Sequence, residues 1–230
     1  LACREGALAY GTPFISGKDS LNNEFQTDDG RSIAIPPTLL ISAISVIDDV
    51  SRCVTADLKR PGNYLFILGR TGRKLGGSHL LRVSGLDTGN DIPPVDPPEH
   101  LRVMRAMQRA IEAVAVRSCH DLSEGGLAVA AAEMALAGDL GVQLDLSALP
   151  AEPGVDVPTL LFAESAGRFC VEVDPEHYDA FLRTVCDVPF GEIGRVTDAG
   201  RIVVHAGRET PIDLPVADAR AAWAGTFAEA

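Results

Sequence analysis

Two short polar segments concentrate the side chains that could do chemistry. The first, His120-Asp121-Leu122-Ser123-Glu124-Gly125-Gly126, runs directly into the alanine-rich stretch Leu127 to Ala137. Carboxylates at Asp121 and Glu124 are hard oxygen donors of the kind that hold Mg²⁺. The N–H groups of a glycine turn and the positive end of the following helix attract phosphate oxygens. The segment therefore spells a nucleotide–metal loop. The same residues also spell a capped helix start, with Ser123 as N-cap, Glu124 in the first turn and Gly125 and Gly126 as turn residues. The second segment is Ser16-Gly17-Lys18-Asp19-Ser20-Leu21-Asn22-Asn23-Glu24. Gly17 permits close approach of backbone to a phosphate, Lys18 supplies a point charge, Asp19 and Glu24 can bind a cation, and Ser20 can donate to an oxyanion. It is not a phosphate-binding Walker loop, because the upstream glycine is missing and Asp19 separates Lys18 from Ser20. A solvated turn is the plain alternative.

Other chemistry is excluded or weak. Five cysteines, Cys3, Cys53, Cys119, Cys170 and Cys186, are widely spaced and form no C-x-x-C pair, which reads as reduced thiols. Cys119 stands beside His120 but closes an apolar run, so a buried structural thiol is expected, and no small-x-Cys-x-Gly elbow encodes glutamine hydrolysis. His79, His100, His177 and His205 lack ligand spacing and read as surface or packing residues. With 20 basic and 32 acidic residues the net charge is −12, which opposes nonspecific binding to nucleic acid or anionic membrane. No stretch is apolar enough to cross a bilayer, and a cytoplasmic setting is expected.

The elements that must position these loops follow from periodicity. The 230 residues, 46% of them hydrophobic, suffice for two units. Phe14-Ile15 reads as a short strand, TLLISAISVI (38–47) as a buried strand, and YLFILG (64–69) as another after the turn Pro61-Gly62-Asn63. Gly76-Gly77-Ser78 opens a short helix, and Asp91 to Pro98 is an extended loop. Leu101, Met104, Met107, Ile111 and Val114 mark one buried helix face, with both methionines as core filler. Downstream, GVQLDL is a strand, PTLLFAES a short helix that would pair Glu164 with Arg168 at i,i+4, RFCVEVD a strand and EHYDAFLRTVC an amphipathic helix. GEIGRVT and RIVVHAG form a final strand pair around Asp198-Ala199-Gly200. The mixed connections indicate α+β architecture.

Six segments, TPFISGKDSLNNEF (12–25), IPPTLLISAISVIDDV (35–50), LKRPGNYLFILG (58–69), LGGSHLL (75–81), HDLSEGGLAVAAAEMALAG (120–138) and LFAESAGRFCVEV (161–173), together resemble the phosphoribosylformylglycinamidine synthase family. The resemblance implies an aminoimidazole-ribonucleotide-synthetase-like two-domain unit with mixed and antiparallel sheets and helices. Its first domain would be incomplete: residues 1–55 as the end of the N-terminal-type domain, and 56–230 as the C-terminal-type α+β domain. It also implies that the chain is a fragment of the synthetase polypeptide, packing against a first repeat of that polypeptide.

The implied activity is an ATP-dependent carbon–nitrogen ligase of purine biosynthesis, which amidates formylglycinamide ribonucleotide with glutamine-derived ammonia. ATP and Mg²⁺ are the implied cofactors. A separate glutaminase subunit and a small bridging subunit are the implied partners. By resemblance Gly17 contacts ATP, Ser20 the ribonucleotide, Asp121 the metal and Ser123 the nucleotide, with Gly125 and Gly126 beside it and Asp19 and Glu124 as lesser metal donors. Lys18 departs from the family's usual Asn; a protonated lysine cannot ligate Mg²⁺, so its expected contact is phosphate. The rival readings are a noncatalytic, nucleotide-stabilised scaffold repeat, or another ATP-using relative of the thiamine-monophosphate kinase or selenophosphate synthetase type.

Overall fold

In a computed structural model, residues 1–18, 23–36 and 38–225 are described. They form two compact units, Leu1–Val50 and Ser51–Ala230. In the first unit, helix α1 (Ala2–Tyr10) precedes a hairpin of β1 (Glu24–Gln26) and β2 (Ser32–Ala34). The hairpin turn falls at Asp28-Asp29-Gly30, where Gly30 N–H donates to Thr27 O and Arg31 pairs with Asp29 at 2.8 Å. The expected strand over 38–47 does not form. Those residues lie outside any ladder and are exposed, Leu40 at 89% and Val46 at 90%. A β-branched run becomes a strand only when a neighbour satisfies its N–H and C=O groups. Here β1 and β2 pair with each other and leave the run without one. Phe14-Ile15 is likewise outside any strand and exposed.

The second unit is built on a seven-stranded mixed sheet. Its strands are β3 (Tyr64–Leu68), β4 (Ser118–Asp121), β5 (Gly141–Asp145), β6 (Phe169–Val173), β7 (Phe190–Thr197), β8 (Arg201–Ala206) and β9 (Glu209–Pro215), in the order β4-β6-β3-β7-β5-β8-β9. All named pairs are antiparallel except β5 with β8. The α+β architecture expected from the pattern is present. The final strand pair is not, because β5 inserts between β7 and β8. Gly141 makes the insertion possible: a Cβ there would stand 2.6 Å from Thr197 Oγ1 and 2.7 Å from Arg201 O.

Helices cover both faces, and the period-2 alternation of β3 assigns them. Leu65 and Ile67 join a core with Leu127, Ala131 and Met134 of α4 (Gly126–Gly138), Leu161 of α5 (Val157–Phe162) and Val216 of α7 (Val216–Gly225). Phe66 and Leu68 face Val103, Ala106 and Ala110 of α3 (Pro97–Glu112), with Phe181 and Val185 of α6 (Tyr178–Val185). Each Val, Leu, Ile, Phe or Met among them contributes about 1.5–3 kcal/mol on burial. Ser78 caps the short helix α2 (His79–Val83), as its sequence signal predicts.

Helix α3 begins at Pro97, inside the stretch expected to be loop, because Asp96 accepts the Glu99 N–H as N-cap and proline suits the first turn. Its buried face is His100, Val103, Ala106, Met107 and Ala110, rotated from the expected stripe. The alanines let the helix sit close to the sheet, so shape rather than side-chain size chooses the face. Met107 is core; Met104 is 42% exposed.

The edge strand β4 is tied down by a fully buried carboxylate, Glu172 of β6. Glu172 accepts from the Ser118 hydroxyl at 2.8 Å, Asn63 Nδ2 at 2.7 Å, and the N–H groups of Lys59 and Arg60 at 2.9 and 3.1 Å. These donors satisfy acceptor oxygens that would otherwise be costly to bury. They also fix the strand whose last residue is Asp121. Among the described residues no helix is long and apolar enough to cross a membrane.

Candidate functional site

Strand β4 ends at Asp121, and the chain turns through Leu122, Ser123 and Glu124 before α4 begins. The N-cap of α4 is Gly125, not Ser123, and Glu124 lies outside the helix. The cause is backbone geometry. Gly125 and Gly126 have φ of 76° and 63°, and an alanine Cβ at Gly126 would stand 2.6 Å from Ala163 O. Only glycine enters α4 this way, with its first turn pressed on the end of α5.

The segment Asp121-Leu122-Ser123-Glu124 supplies one wall of a cavity of about 410 Å³, whose lining also includes Met104, Glu164, Ala166, Gly167, Arg168 and Phe169. Asp121 is 65% exposed in its side chain and contacts His120 Nδ1 at 3.3 Å. The Glu124 carboxyl is held below its ordinary range, first by its own backbone N–H and then by the Ser123 hydroxyl. Both side chains line a cavity large enough for a phosphate group. His120 Nε2 lies 2.9 Å from Glu133 Oε2 on α4. Burial, with the Asp121 charge second, pushes the Cys119 thiol to about 12, so Cys119 is a structural thiol rather than a nucleophile.

The two glycine N–H groups do not point into open space. Gly125 N–H donates to Glu164 Oε1 at 2.8 Å, and Gly126 N–H donates to Ser123 O at 3.1 Å. The expected Glu164–Arg168 ion pair is also absent, because α5 stops at Phe162 and the i,i+4 spacing no longer applies. Arg168 instead turns inward, donating to Ser165 O at 2.8 Å, Thr71 Oγ1 at 3.0 Å and Ala163 O. Burial lowers its pKa to about 10. The two residues thus do separate jobs: Arg168 gathers the carbonyls of the 163–168 turn, and Glu164 reaches across to the α4 entrance.

Of the other residues singled out in the sequence, Gly17 and Lys18 belong to the Leu1–Val50 unit, where both are exposed and Gly17 has open space at its Cβ position. Asp19 and Ser20 lie outside the described residues. Glu24 opens β1 and accepts from the Ser32 hydroxyl. Periodicity missed Met104 and Glu164 as cavity residues. The available signal for Glu164 was the run Ser165-Ala166-Gly167, which favours ending a helix over continuing it.

Residues 60–207 match the family model described as AIR synthase related protein, C-terminal domain. The chain belongs to the AIR synthase-related family. Within it, the chain is 38% identical over 226 residues to the phosphoribosylformylglycinamidine synthase subunit PurL of Thermobifida fusca, covering 97% of this chain and 28% of that protein. The PurL subunit of Thermococcus sibiricus is 33% identical over 205 residues, covering 89% and 28%. The chain thus spans less than a third of the length of these curated relatives.

Among solved structures, Thermotoga maritima PurL complexed with FGAR shares the fold at a TM-score of 0.64 and 22% identity, over 74% of this chain and 30% of that one. A HypE–HypF complex shares it at 0.51 and 18%, over 70% and 56%. These likenesses extend the AIR synthase-related assignment to the three-dimensional fold.

The Mg²⁺ expected from the sequence resemblance needs hard oxygen donors. Asp121 and Glu124 are both oxygen donors, and among the described residues no group of three His, Cys, Asp or Glu could hold a metal alone. Mg²⁺ is commonly held by one or two carboxylates together with the phosphates of a nucleotide. The pair therefore fits a metal that arrives with its nucleotide.

Proposed function

We propose that this chain is part of the PurL-type synthetase polypeptide, an ATP-dependent carbon–nitrogen ligase that converts formylglycinamide ribonucleotide to the amidine. The observation that carries this reading is 38% identity to a PurL subunit across 97% of the chain. T. maritima PurL structures titled as complexes with ATP and with FGAR, and one titled PurLQS, support the same substrates and a multi-subunit setting. In this reading residues 1–55 close the N-terminal-type domain and 56–230 form the C-terminal-type domain. A separate glutaminase supplies ammonia, and the reaction is cytoplasmic.

The amide oxygen of the substrate takes the terminal phosphoryl group of ATP, releasing ADP. Ammonia then adds to the activated carbon, and phosphate leaves with the former amide oxygen. Mg²⁺ supplies charge neutralisation at the phosphoryl group. The chain's own contribution is placement: Asp121 and Glu124 hold the metal–phosphate unit, and Ser123 orients the nucleotide. Gly125 and Gly126 set the backbone on which those side chains stand. Gly17, Lys18 and Ser20, with Asp19 as a lesser metal donor, are the further residues assigned to ATP and ribonucleotide phosphates. The test is the complete polypeptide with ATP, substrate and ammonium; absence of both ADP and amidine overturns the reading.

One observation favours a second reading, in which the pocket holds a nucleotide for stability alone. Gly125 N–H and Gly126 N–H are already engaged by protein acceptors, so this loop lacks two donors that could follow charge developing in a transition state. Asp121→Asn would then lower the melting temperature of the complete polypeptide while turnover persists. Loss of turnover at unchanged melting temperature would exclude it.

A further inference from the structure

The cavity residue that the motif reading leaves without a functional role is Glu164. Its side chain is 18% exposed, and one oxygen, Oε1, accepts from Gly125 N–H and from His79 N–H, both at 2.8 Å, with His79 Nδ1 at 3.2 Å. Gly125 is the N-cap of α4, and His79 is the first residue of α2, so a single atom joins two segments far apart in sequence at the cavity edge. The reach of Glu164 is prepared by its neighbours. Gly126 presses the start of α4 against Leu161 O and Ala163 O, while Arg168 fixes Ala163 O and Ser165 O on either side of Glu164.

We propose that Glu164 is a positioning residue for the Asp121–Glu124 wall, acting as a backbone acceptor and not as a ligand to metal or nucleotide. Holding Gly125 N–H fixes where the Ser123-Glu124 turn stands relative to Asp121, and holding His79 N–H ties the Gly76–Ser78 turn to the same point. The functional consequence rests on the proposed nucleotide reading of that wall. A backbone-acceptor role makes a specific demand on chemistry. Glutamine retains an acceptor oxygen at the same reach without the charge; aspartate retains the charge but is one methylene short.

The test uses the complete polypeptide with three substitutions, Glu164→Gln, Glu164→Asp and Glu164→Ala, and reads MgATP affinity by calorimetry together with amide hydrogen exchange at Gly125 and His79. Expected are near-unchanged affinity and exchange for Glu164→Gln. Glu164→Asp and Glu164→Ala are expected to bind roughly tenfold more weakly, the lower end of what supporting partners command, with faster exchange at both amides. A direct ligand would reverse the order, with aspartate tolerated and glutamine impaired, and that result overturns the proposal. So does unchanged exchange in Glu164→Ala, or a lowered melting temperature at unchanged affinity. Asp121→Asn in the same assay separates the two failures. If it leaves MgATP affinity unchanged, the nucleotide reading of the wall falls while the exchange data still decide whether Glu164 holds both amides.

Discussion

Residues 38–47 and 64–68 are two apolar, β-branched or aromatic runs of similar appearance, and they have opposite fates. YLFIL becomes the central strand β3, paired on both sides by β6 and β7 and covered on both faces. TLLISAISVI stays unpaired and exposed. Both runs are rich in Leu and Ile; what separates their fates is the presence of ladder partners and covering helices. Strand propensity measures how well a residue fits a pleated, half-buried surface, and that surface must be supplied by the rest of the chain.

The largest effect that would sharpen this contrast is in the buried run. Phe66→Ala should cost about 3–5 kcal/mol in urea unfolding, whereas Ile44→Ala should change stability by less than about 0.5 kcal/mol. Equal effects would mean that 38–47 is packed after all. Glycines give a second version of the same comparison. Gly126→Ala meets Ala163 O at 2.6 Å in a left-handed backbone and should cost about 2 kcal/mol or more, while Gly17→Ala meets open space and should be neutral in thermal unfolding.

The pH response should likewise come from the covered unit. Burial raises the thiols of Cys119 and Cys170 to about 12 in the folded state, from an ordinary value of 9.0. Their contribution is therefore fully present below about pH 9 and is lost as pH rises toward 12. Stability followed by denaturant titration should fall through that window, less steeply in Cys170→Ala measured against its own neutral-pH value. The smallest effect is at Val114, a β-branched residue at φ 57° just beyond α3 and 55% exposed. Val114→Gly should stabilise by about 0.5–1 kcal/mol, read as a raised melting temperature.

Much of the covered unit was legible because its signals are local. Ser78 caps α2, the turn at Pro61-Gly62-Asn63 leads into β3, and the strands at 141–145 and 169–173 lie where alternation and turns placed them. The failures are non-local. Insertion of β5 between β7 and β8 depends on Gly141 meeting Thr197 and Arg201, which no window of adjacent residues contains. The α3 stripe was misplaced because Ala106 and Ala110 are fully buried on the packed face, and a hydrophobicity pattern ranks them below leucine and methionine. At the site, the carboxylates Asp121 and Glu124 were named from their chemistry and Ser123 as a nucleotide contact only from the family resemblance, and all three line the cavity. Glu164 was named for the wrong partner, because i,i+4 spacing presumes a helix that α5 does not continue.

By itself, the chain's sequence determined which side chains could hold phosphate and metal, and that the polar heptapeptide had to turn through two glycines. Those properties belong to residue types and to backbone freedom at single positions. Only the tertiary structure decided that the glycine N–H groups are taken by Glu164 and Ser123, that Arg168 faces backbone carbonyls, and that one apolar run is buried while its likeness is bare. Hydrogen-bond partners and buried surface are shared between distant segments, so they are settled only when those segments meet.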